Sequence, residues 1–374
     1  MRVLELVDGI DGGGAGKIVY DYVSHMNKDD IEIDILSFYK SDHSKPFFHD
    51  AFIKAGCNII YIDHRNIGLK KHFKEYKEII KQGKYDIIHC HDGAWSFPYL
   101  LYAKNMGIPV RIAHSHTTNC QYSKGKRMIL FLFRQCLPFV TTNRYACGYK
   151  AGKYLWGNKS FVVMKNAVDC NSFKFKESQR SKVRNELNIS RDTIVLAHVA
   201  RFCYPKNNEF VVEIASELKN ESLDFKVVCV GLGEKLEYIQ GIVKERQLSD
   251  NYIFLGLRND IPDILMASDI ALLPSRFEGV PIVSIESQTS GLPMLMSDKI
   301  SQEVKILDSA VFLDIDHGCQ EWVDKINEIT SKNNSVDRFS GYLKVKDAGF
   351  DIVDQSQKLK EDYYRYLREF EKCR

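Results

Sequence analysis

Glu278 and Glu286 stand with seven residues between them inside the stretch Ser275-Arg-Phe-Glu-Gly-Val-Pro-Ile-Val-Ser-Ile-Glu-Ser-Gln-Thr-Ser-Gly-Leu-Pro293. Ionised carboxylates only accept hydrogen bonds, which suits them to pairs of hydroxyls such as those of sugars and riboses. Between the two acids, Gly279 removes a side chain where a ligand can approach the backbone, and Pro281 stiffens that approach. Val280, Pro281, Ile282 and Val283 read as the start of a short helix, whose unsatisfied N–H groups attract anions. Far upstream, Arg201 and Lys206 share one loop. Two fixed cations suit a diphosphate leaving group, on which charge builds as a bond breaks. Acids beside an anion site are electrostatically wasteful unless each one holds hydroxyls, so the combination points to a sugar nucleotide.

Four histidines form a second candidate group, in Asp86-Ile-Ile-His-Cys-His91 and Pro109-Val-Arg-Ile-Ala-His-Ser-His116. Each segment reads as a strand ending in two histidines, and strand carboxyl ends are where ligands bind in parallel sheets. They are expected to converge only beyond the strand ends, and no carboxylate or cysteine pattern completes a metal set, so no metal is assigned. Near the amino end, Gly12-Gly13-Gly14-Ala15-Gly16-Lys17 follows a strand and opens a helix, so Gly13 and Gly14 let backbone amides meet a ligand. A triphosphate loop is excluded there: Asp11 fills the first glycine position and Ile18 replaces the magnesium-binding hydroxyl.

Short apolar runs separated by helical patterns must carry these residues: Val3 to Val7, Ile31 to Phe38, Asn58 to Ile62, Asp86 to Cys90, Pro109 to Ala113, Thr141 to Ala146 and Phe161 to Met164. A charged, strand-free stretch from Lys174 to Arg191 marks a boundary. The pattern then resumes at Thr193 to Ala200, Lys226 to Val230, Tyr252 to Gly256, Ile270 to Leu273, Met294 to Ser297 and Val311 to Leu313. Strands alternating with helices predict parallel, doubly wound sheets. Gly291 reads as the residue after the helix carrying Glu286, with Pro293 as the stop. The strand ending in Gly231-Leu-Gly233 begins a dinucleotide fingerprint, but Leu236 occupies the third glycine position, which argues against an NAD-dependent dehydrogenase. Asp314-Ile-Asp316 has a D-x-D spacing that could hold a metal and reads as a loop coincidence.

With 374 residues, 44% hydrophobic and 27% charged, the composition is that of two ordinary globular domains, and a formal charge of +3 gives no electrostatic reason to expect nucleic acid. Asp8 interrupts the first apolar run, so no signal peptide is read and a cytoplasmic location is expected. The ten scattered cysteines fit reduced core residues. Ser123 to Pro138 is basic and then strongly apolar. It reads first as a core helix with a solvated first turn, and second as a helix resting on an anionic leaflet at the inner face of the membrane.

The Glu278 to Glu286 segment, with its Ser-x-x-Glu-Gly-x-Pro and Gly-x-Pro surroundings, resembles the E-x7-E signature of retaining glycosyltransferases of family 4. Lys165-Asn-Ala-Val-Asp169 with Phe173 is similar to that family's hinge segment, with Ala167 in the usual glycine position. The resemblance covers nearly the whole chain and implies the GT-B fold: two α/β, Rossmann-like domains facing a central cleft. It implies an acceptor-side domain over 1–172, a nucleotide-sugar domain over 173–354, and a helix over 355–374 docking back on the first domain through Tyr363, Tyr364 and Tyr366. It gives Glu286 the ribose diol, Glu278 the donor sugar, Arg201 and Lys206 the diphosphate, and the loop of Arg258 the nucleobase. Gly13, Gly14 and Gly231 join the donor-binding set, and His116, with His114 as the alternative, reaches the sugar near its reacting carbon.

The implied reaction moves a hexosyl or N-acetylhexosaminyl group from a nucleoside-diphosphate donor, a UDP-sugar by preference, to a saccharide or lipid-linked acceptor in surface-polysaccharide assembly. The nucleotide-sugar is a substrate, and neither cofactor nor metal is expected. A sugar-nucleotide epimerase of the same fold and a catalytically silent binding subunit are the rival readings.

Overall fold

A computed structural model describes residues 1–38, 45–117, 123–331 and 337–372. Two compact units divide the chain: Met1–Ala167 with the segment from Asp351 onward, and Val168–Phe350.

In the first unit, β1 (Arg2–Val7), β2 (Glu32–Phe38), β3 (Asn58–Ile62), β4 (Ile87–Cys90), β5 (Val110–Ser115), β6 (Asn143–Ala146) and β7 (Val162–Val163) form one sheet in the order β3-β2-β1-β4-β5-β6-β7. Every pairing is parallel. Side chains alternate between sheet faces. Leu4, Leu6, Ile88, Cys90 and Ala113 therefore enter one core with Tyr76, Tyr99 and Trp156. Glu5, His89, His91 and His114 point to the opposite face, and all four are buried.

The terminal helix supplies cover for that opposite face. Helix α5 (Ile352–Lys372) bonds through Ser356 Oγ to the carbonyl of His25, the last residue of α1 (Gly14–His25), at 3.2 Å. Its Tyr363 hydroxyl donates to Glu5 Oε1 at 2.7 Å, Tyr364 to Asp30 Oδ2 at 2.7 Å, and Tyr366 pairs with the Tyr145 hydroxyl at 2.9 Å. Each of the three tyrosines thus has a polar partner for its hydroxyl while its ring lies against the unit.

Helix α2 (Lys124–Cys136) overturns its first reading as a core helix. Met128 is 64% exposed, Phe131 54% and Leu132 55%, with Ile129 also exposed beside Lys126 and Arg127. A core helix would bury that stripe. Among the described residues, no helix is long and apolar enough to cross a membrane.

The second unit carries β8 (Ile194–Val199), β9 (Phe225–Val230), β10 (Tyr252–Phe254), β11 (Ile270–Leu273), β12 (Met294–Ser297) and β13 (Ala310–Leu313), ordered β10-β9-β8-β11-β12-β13 and all parallel. Both faces are covered, which is why these strands read as continuous apolar runs. Leu196, Val227 and Cys229 pack with Phe202, Phe210 and Trp322 on one side. Val195, Val228 and Val230 pack with Ile189 and Ile264 on the other. Each buried Leu, Ile or Phe contributes about 1.5–3 kcal/mol toward holding the strand ends in place.

Cys57, Cys90, Cys136, Cys203, Cys229 and Cys319 are free thiols; Cys120 and Cys373 lie outside the described residues.

Candidate functional site

In the second unit, β8 and β11 are neighbours although they are far apart in sequence, so the chain runs outward in both directions from this pair. The loops that leave two such strands diverge and open a crevice at their carboxyl ends, which is where ligands bind in open α/β sheets. The loop after β8 holds Arg201 and Lys206, and the loop after β11 holds Ser275 to Pro281. Lys206 Nζ forms an ion pair with Glu278 Oε1, which also accepts from Ser275 Oγ at 3.0 Å. Arg276 fastens the same two loops: its backbone N–H donates to the Pro205 carbonyl at 2.8 Å, and its Nη1 donates to the Tyr204 carbonyl at 2.8 Å. Its guanidinium also lies 4.5 Å from the centre of the Tyr204 ring. No local pattern singles out Arg276 beyond its place two residues before the acid.

Arg201 goes elsewhere. It is paired with Glu234 at 3.2 Å, and its side chain is 71% exposed. The two cations expected together are thus held by different acids, Lys206 by Glu278 and Arg201 by Glu234. The cause is the way the loop after β9 is stitched onto the loop after β8. Phe202 N donates to the Leu232 carbonyl at 2.9 Å, and Lys235 N donates to the Phe202 carbonyl at 3.0 Å. Gly231 makes this approach feasible: its φ is +140°, and a Cβ there would stand 2.2 Å from the Ala200 carbonyl oxygen. Arg258, in the loop after β10, forms a fork with Asp260, Nε to Oδ1 at 2.7 Å and Nη2 to Oδ2 at 2.5 Å.

Helix α4, with α3 (Asn208–Asn220) preceding it in the chain, spans Ile282–Thr289. Pro281 lies one position outside it as the capping residue, with φ −66° and ψ 123°, rather than in its first turn. Gly291 follows the helix at φ +60°, and bonds from Gly291 N to the Gln288 carbonyl and from Leu292 N to the Ser287 carbonyl close its end. Gly279, Val280, Pro281 and Val283 are buried, while Glu278 and Ile282 are partly exposed. Glu286 is 2% exposed. A further polar residue, His198 on β8, was not read from the sequence. Its Nδ1 bonds the Leu272 carbonyl at 3.1 Å and its Nε2 faces Asn208 Nδ2 at 2.9 Å. Burial is the main cause that pushes the imidazole down to about 4. A neutral imidazole therefore ties β8, β11 and the start of α3 together beneath the crevice.

The first unit has the same kind of switch point between β1 and β4. The glycine loop leaves β1 there. Gly13 and Gly14 are exposed, and a Cβ at either would meet no atom within 4 Å. At the ends of β1 and β4, Arg65 Nη1 donates to Asp92 Oδ2 at 2.5 Å, and His64 Nε2 lies 3.2 Å from Asp8 Oδ1. Burial pushes the Asp92 carboxyl up to about 7, against the pull of Arg65. These residues were also missed, because Arg65 and Asp92 are brought together only by the order of the strands.

The four histidines stand on one sheet face rather than converging past the strand ends, because residues two apart in a strand share a face. His89 and His91 stack with ring centres 4.1 Å apart, as do His114 and His116. Nitrogens of His89, His91 and His114 lie within 4.8 Å of one another, a metal-like spacing. Hydrogen bonds already engage His89 at both ring nitrogens, His91 at both, and His114 at Nδ1. A metal would have to displace several of these bonds, so the arrangement fits a hydrogen-bonded cluster better than a ligand cage. In the Asp314 loop, Oδ1 accepts from the backbone N–H groups of Asp316 and His317 at 2.7 and 2.8 Å, a turn-stabilising arrangement.

Comparison with known proteins covers both units. The family described as glycosyl transferases group 1 matches residues 179–345, and glycosyltransferase family 4 matches residues 12–148. EpsF of Bacillus subtilis is 28% identical over 314 residues, covering 81% of this chain and 80% of that protein. The UDP-Gal:alpha-D-GlcNAc-diphosphoundecaprenol alpha-1,3-galactosyltransferase of Escherichia coli is 28% identical over 324 residues, covering 80% and 81%. Among solved structures, Anabaena HepE in complex with UDP-glucose shares the fold at a TM-score of 0.81 and 17% identity, over 98% of this chain and all of that one.

Proposed function

Since the chain belongs to glycosyltransferase family 4 and has its GT-B fold, we propose that it is a retaining transferase that moves a hexosyl or N-acetylhexosaminyl group from a UDP-sugar to an acceptor hydroxyl in surface-polysaccharide assembly. The observation that carries this reading is the Lys206–Glu278 pair joining the two loops at the β8/β11 switch point. A cation held there by an acid faces the place where a diphosphate and a sugar would meet. The support for uridine is the similarity to a galactosyltransferase that uses UDP-Gal and the shared fold of a UDP-glucose complex.

In this reading, the bond from the anomeric carbon to the diphosphate breaks while the acceptor oxygen bonds to the same face of that carbon. The acceptor proton passes to an oxygen of the departing diphosphate. Lys206 and the N–H groups at the start of α4 offset the charge that grows on the diphosphate, and they are set in place before the reaction. Arg201 leaves Glu234 to join them. Glu286 accepts the ribose hydroxyls, and Glu278 accepts from the sugar on one side while orienting Lys206 on the other.

Helix α2 supports a lipid-linked acceptor and contact with an anionic leaflet, because an exposed apolar stripe beside Lys126 and Arg127 suits that interface. A thermal-shift screen of UDP-, GDP- and ADP-sugars tests the donor, since a ligand bound only by the folded state raises its melting temperature. Stabilisation by UDP-sugars alone is expected; stabilisation by none of the three classes would overturn the reading. The anomeric configuration of the product, read by NMR, tests retention.

A further inference from the structure

Glu5 on β1 is buried and accepts at both oxygens: Oε1 from the Tyr363 hydroxyl at 2.7 Å, and Oε2 from His91 Nε2 at 2.8 Å. A carboxylate only accepts, so His91 carries its proton on Nε2. With one proton on the His91 ring, Nδ1 is the acceptor and His116 Nε2 at 2.8 Å is the donor to it. Burial, and after it the neighbouring His91, pushes His116 well below the usual imidazole range, so it holds a single ring proton. That proton is spent on His91, and Nδ1 of His116 is left bare.

The second path from Glu5 runs in parallel. Tyr363 has one proton and gives it to Glu5, so His89 Nδ1, 2.6 Å from that hydroxyl, must donate to it. His89 Nε2 then accepts from His114 Nδ1 at 3.2 Å, and His114 Nε2 is left bare. The structure bears out both ends: His114 Nε2 and His116 Nδ1 are enclosed side-chain nitrogens with no hydrogen-bond partner. His114 is fully buried, whereas the His116 ring is partly exposed at the carboxyl end of β5. His116 Nδ1 is thus an enclosed acceptor with an unmet hydrogen bond, in a partly exposed residue at a strand's ligand-binding end.

We propose that Glu5 is a positioning residue that acts through His91 to fix His116 in its Nε2–H tautomer, so that Nδ1 is presented as an acceptor for a hydroxyl of the bound sugar. The proposal rests on the glycosyltransferase reading for the identity of that hydroxyl, but the tautomer itself is a property of the free protein. Nothing in the sequence signals this link, because Glu5 and His91 are 86 positions apart and meet only through the β1–β4 pairing.

The test is nitrogen NMR of the full chain labelled with 15N-histidine, with the His116 resonances assigned by their loss in His116→Gln. The expected spectrum shows a protonated Nε2 and an unprotonated Nδ1 at His116. A protonated Nδ1, a doubly protonated ring, or a stoichiometric metal bound by the purified protein would each overturn the relay. Glu5→Leu, similar in size, is expected to let His116 exchange between tautomers and to lower kcat about tenfold with KM little changed. Glu5→Gln, which can still offer its amide oxygen to His91, is expected to restore both the tautomer and most of kcat. A Glu5→Leu enzyme with a shifted tautomer and unchanged kcat would overturn the positioning role. If Glu5→Leu does not fold, the wild-type spectrum and the Glu5→Gln kinetics still decide, since full loss of kcat in folded Glu5→Gln with an unaltered tautomer would also overturn it. Absence of transfer from every sugar nucleotide would refute the proposed function and with it the purpose given to Nδ1, while the spectrum would still report on the relay.

Discussion

Acidification from pH 7.5 to 5.5 should destabilise the first unit about twice as much as the second. In the first unit burial, followed by neighbouring histidines, holds His89, His114 and His116 well below the usual imidazole range, and burial lowers His72 as well. In the second unit, His198 is buried and is pushed down to about 4, again chiefly by burial. A histidine whose folded value lies below its unfolded value takes up a proton mainly on unfolding. Its stabilisation is complete above pH 6.5 and drains away as pH falls toward the folded value. Over this interval each ring held well below the usual range costs about 1.4 kcal/mol, so His89, His114 and His116 cost the first unit about 4 kcal/mol; protonation of folded Asp92, near 7, returns about 2 kcal/mol, His72 adds to the loss, and the net is about 3 kcal/mol against about 1.4 kcal/mol for the second unit. Urea unfolding at the two pH values, followed by a hydrogen-exchange pulse at a fixed pH and peptide-level mass spectrometry, reports each unit separately. Equal shifts in β4–β5 peptides and β8–β11 peptides, or no shift in either, would refute the reasoning.

Further consequences follow from the geometry. Lys206→Ala should lower kcat by about 100-fold, because it removes a cation set in place for the departing diphosphate, and steady-state kinetics with the best donor would check this. Arg201→Ala should also act chiefly on kcat, with a smaller fall, since its side chain is exposed and bound to Glu234 in the free protein. Gly231→Ala should cost about 3 kcal/mol in urea unfolding of the second unit, because φ +140° and the 2.2 Å approach to the Ala200 carbonyl leave no room for a methyl group. Replacing Met128 and Phe131 together by Ser should abolish co-sedimentation with phosphatidylglycerol vesicles and leave the melting temperature nearly unchanged, as both side chains are mostly exposed.

Much of the architecture was legible because parallel strands buried on both faces are written as short apolar runs, as at Ile270–Leu273 and Val3–Val7. The end of the helix bearing Glu286 was also legible, since Gly291 takes a left-handed conformation that glycine adopts without strain. What could not be read depends on strand order. Lys206 meets Glu278 across 72 positions, and Glu5 meets Tyr363 across 358, and no local spacing encodes either contact. Arg201 was expected beside Lys206 on the ground that they share a loop, but a loop bent by stitching at Phe202 sends its side chains to different acids. The histidines were misjudged on period: two residues along a strand return to the same face, so the four rings stack along the sheet rather than gather at its edge. Helix α2 shows the limit of composition, since an apolar stripe does not say whether protein or another surface covers it.

Calorimetric titration of UDP into the wild-type chain and into Glu286→Ala probes the central claim most directly. A carboxylate that accepts two ribose hydroxyls at about 1.5–3 kcal/mol per bond contributes about 3–6 kcal/mol, so the folded variant should bind UDP more weakly by at least about 100-fold. Equal affinity in the two proteins, or no UDP binding by the wild type, would contradict it.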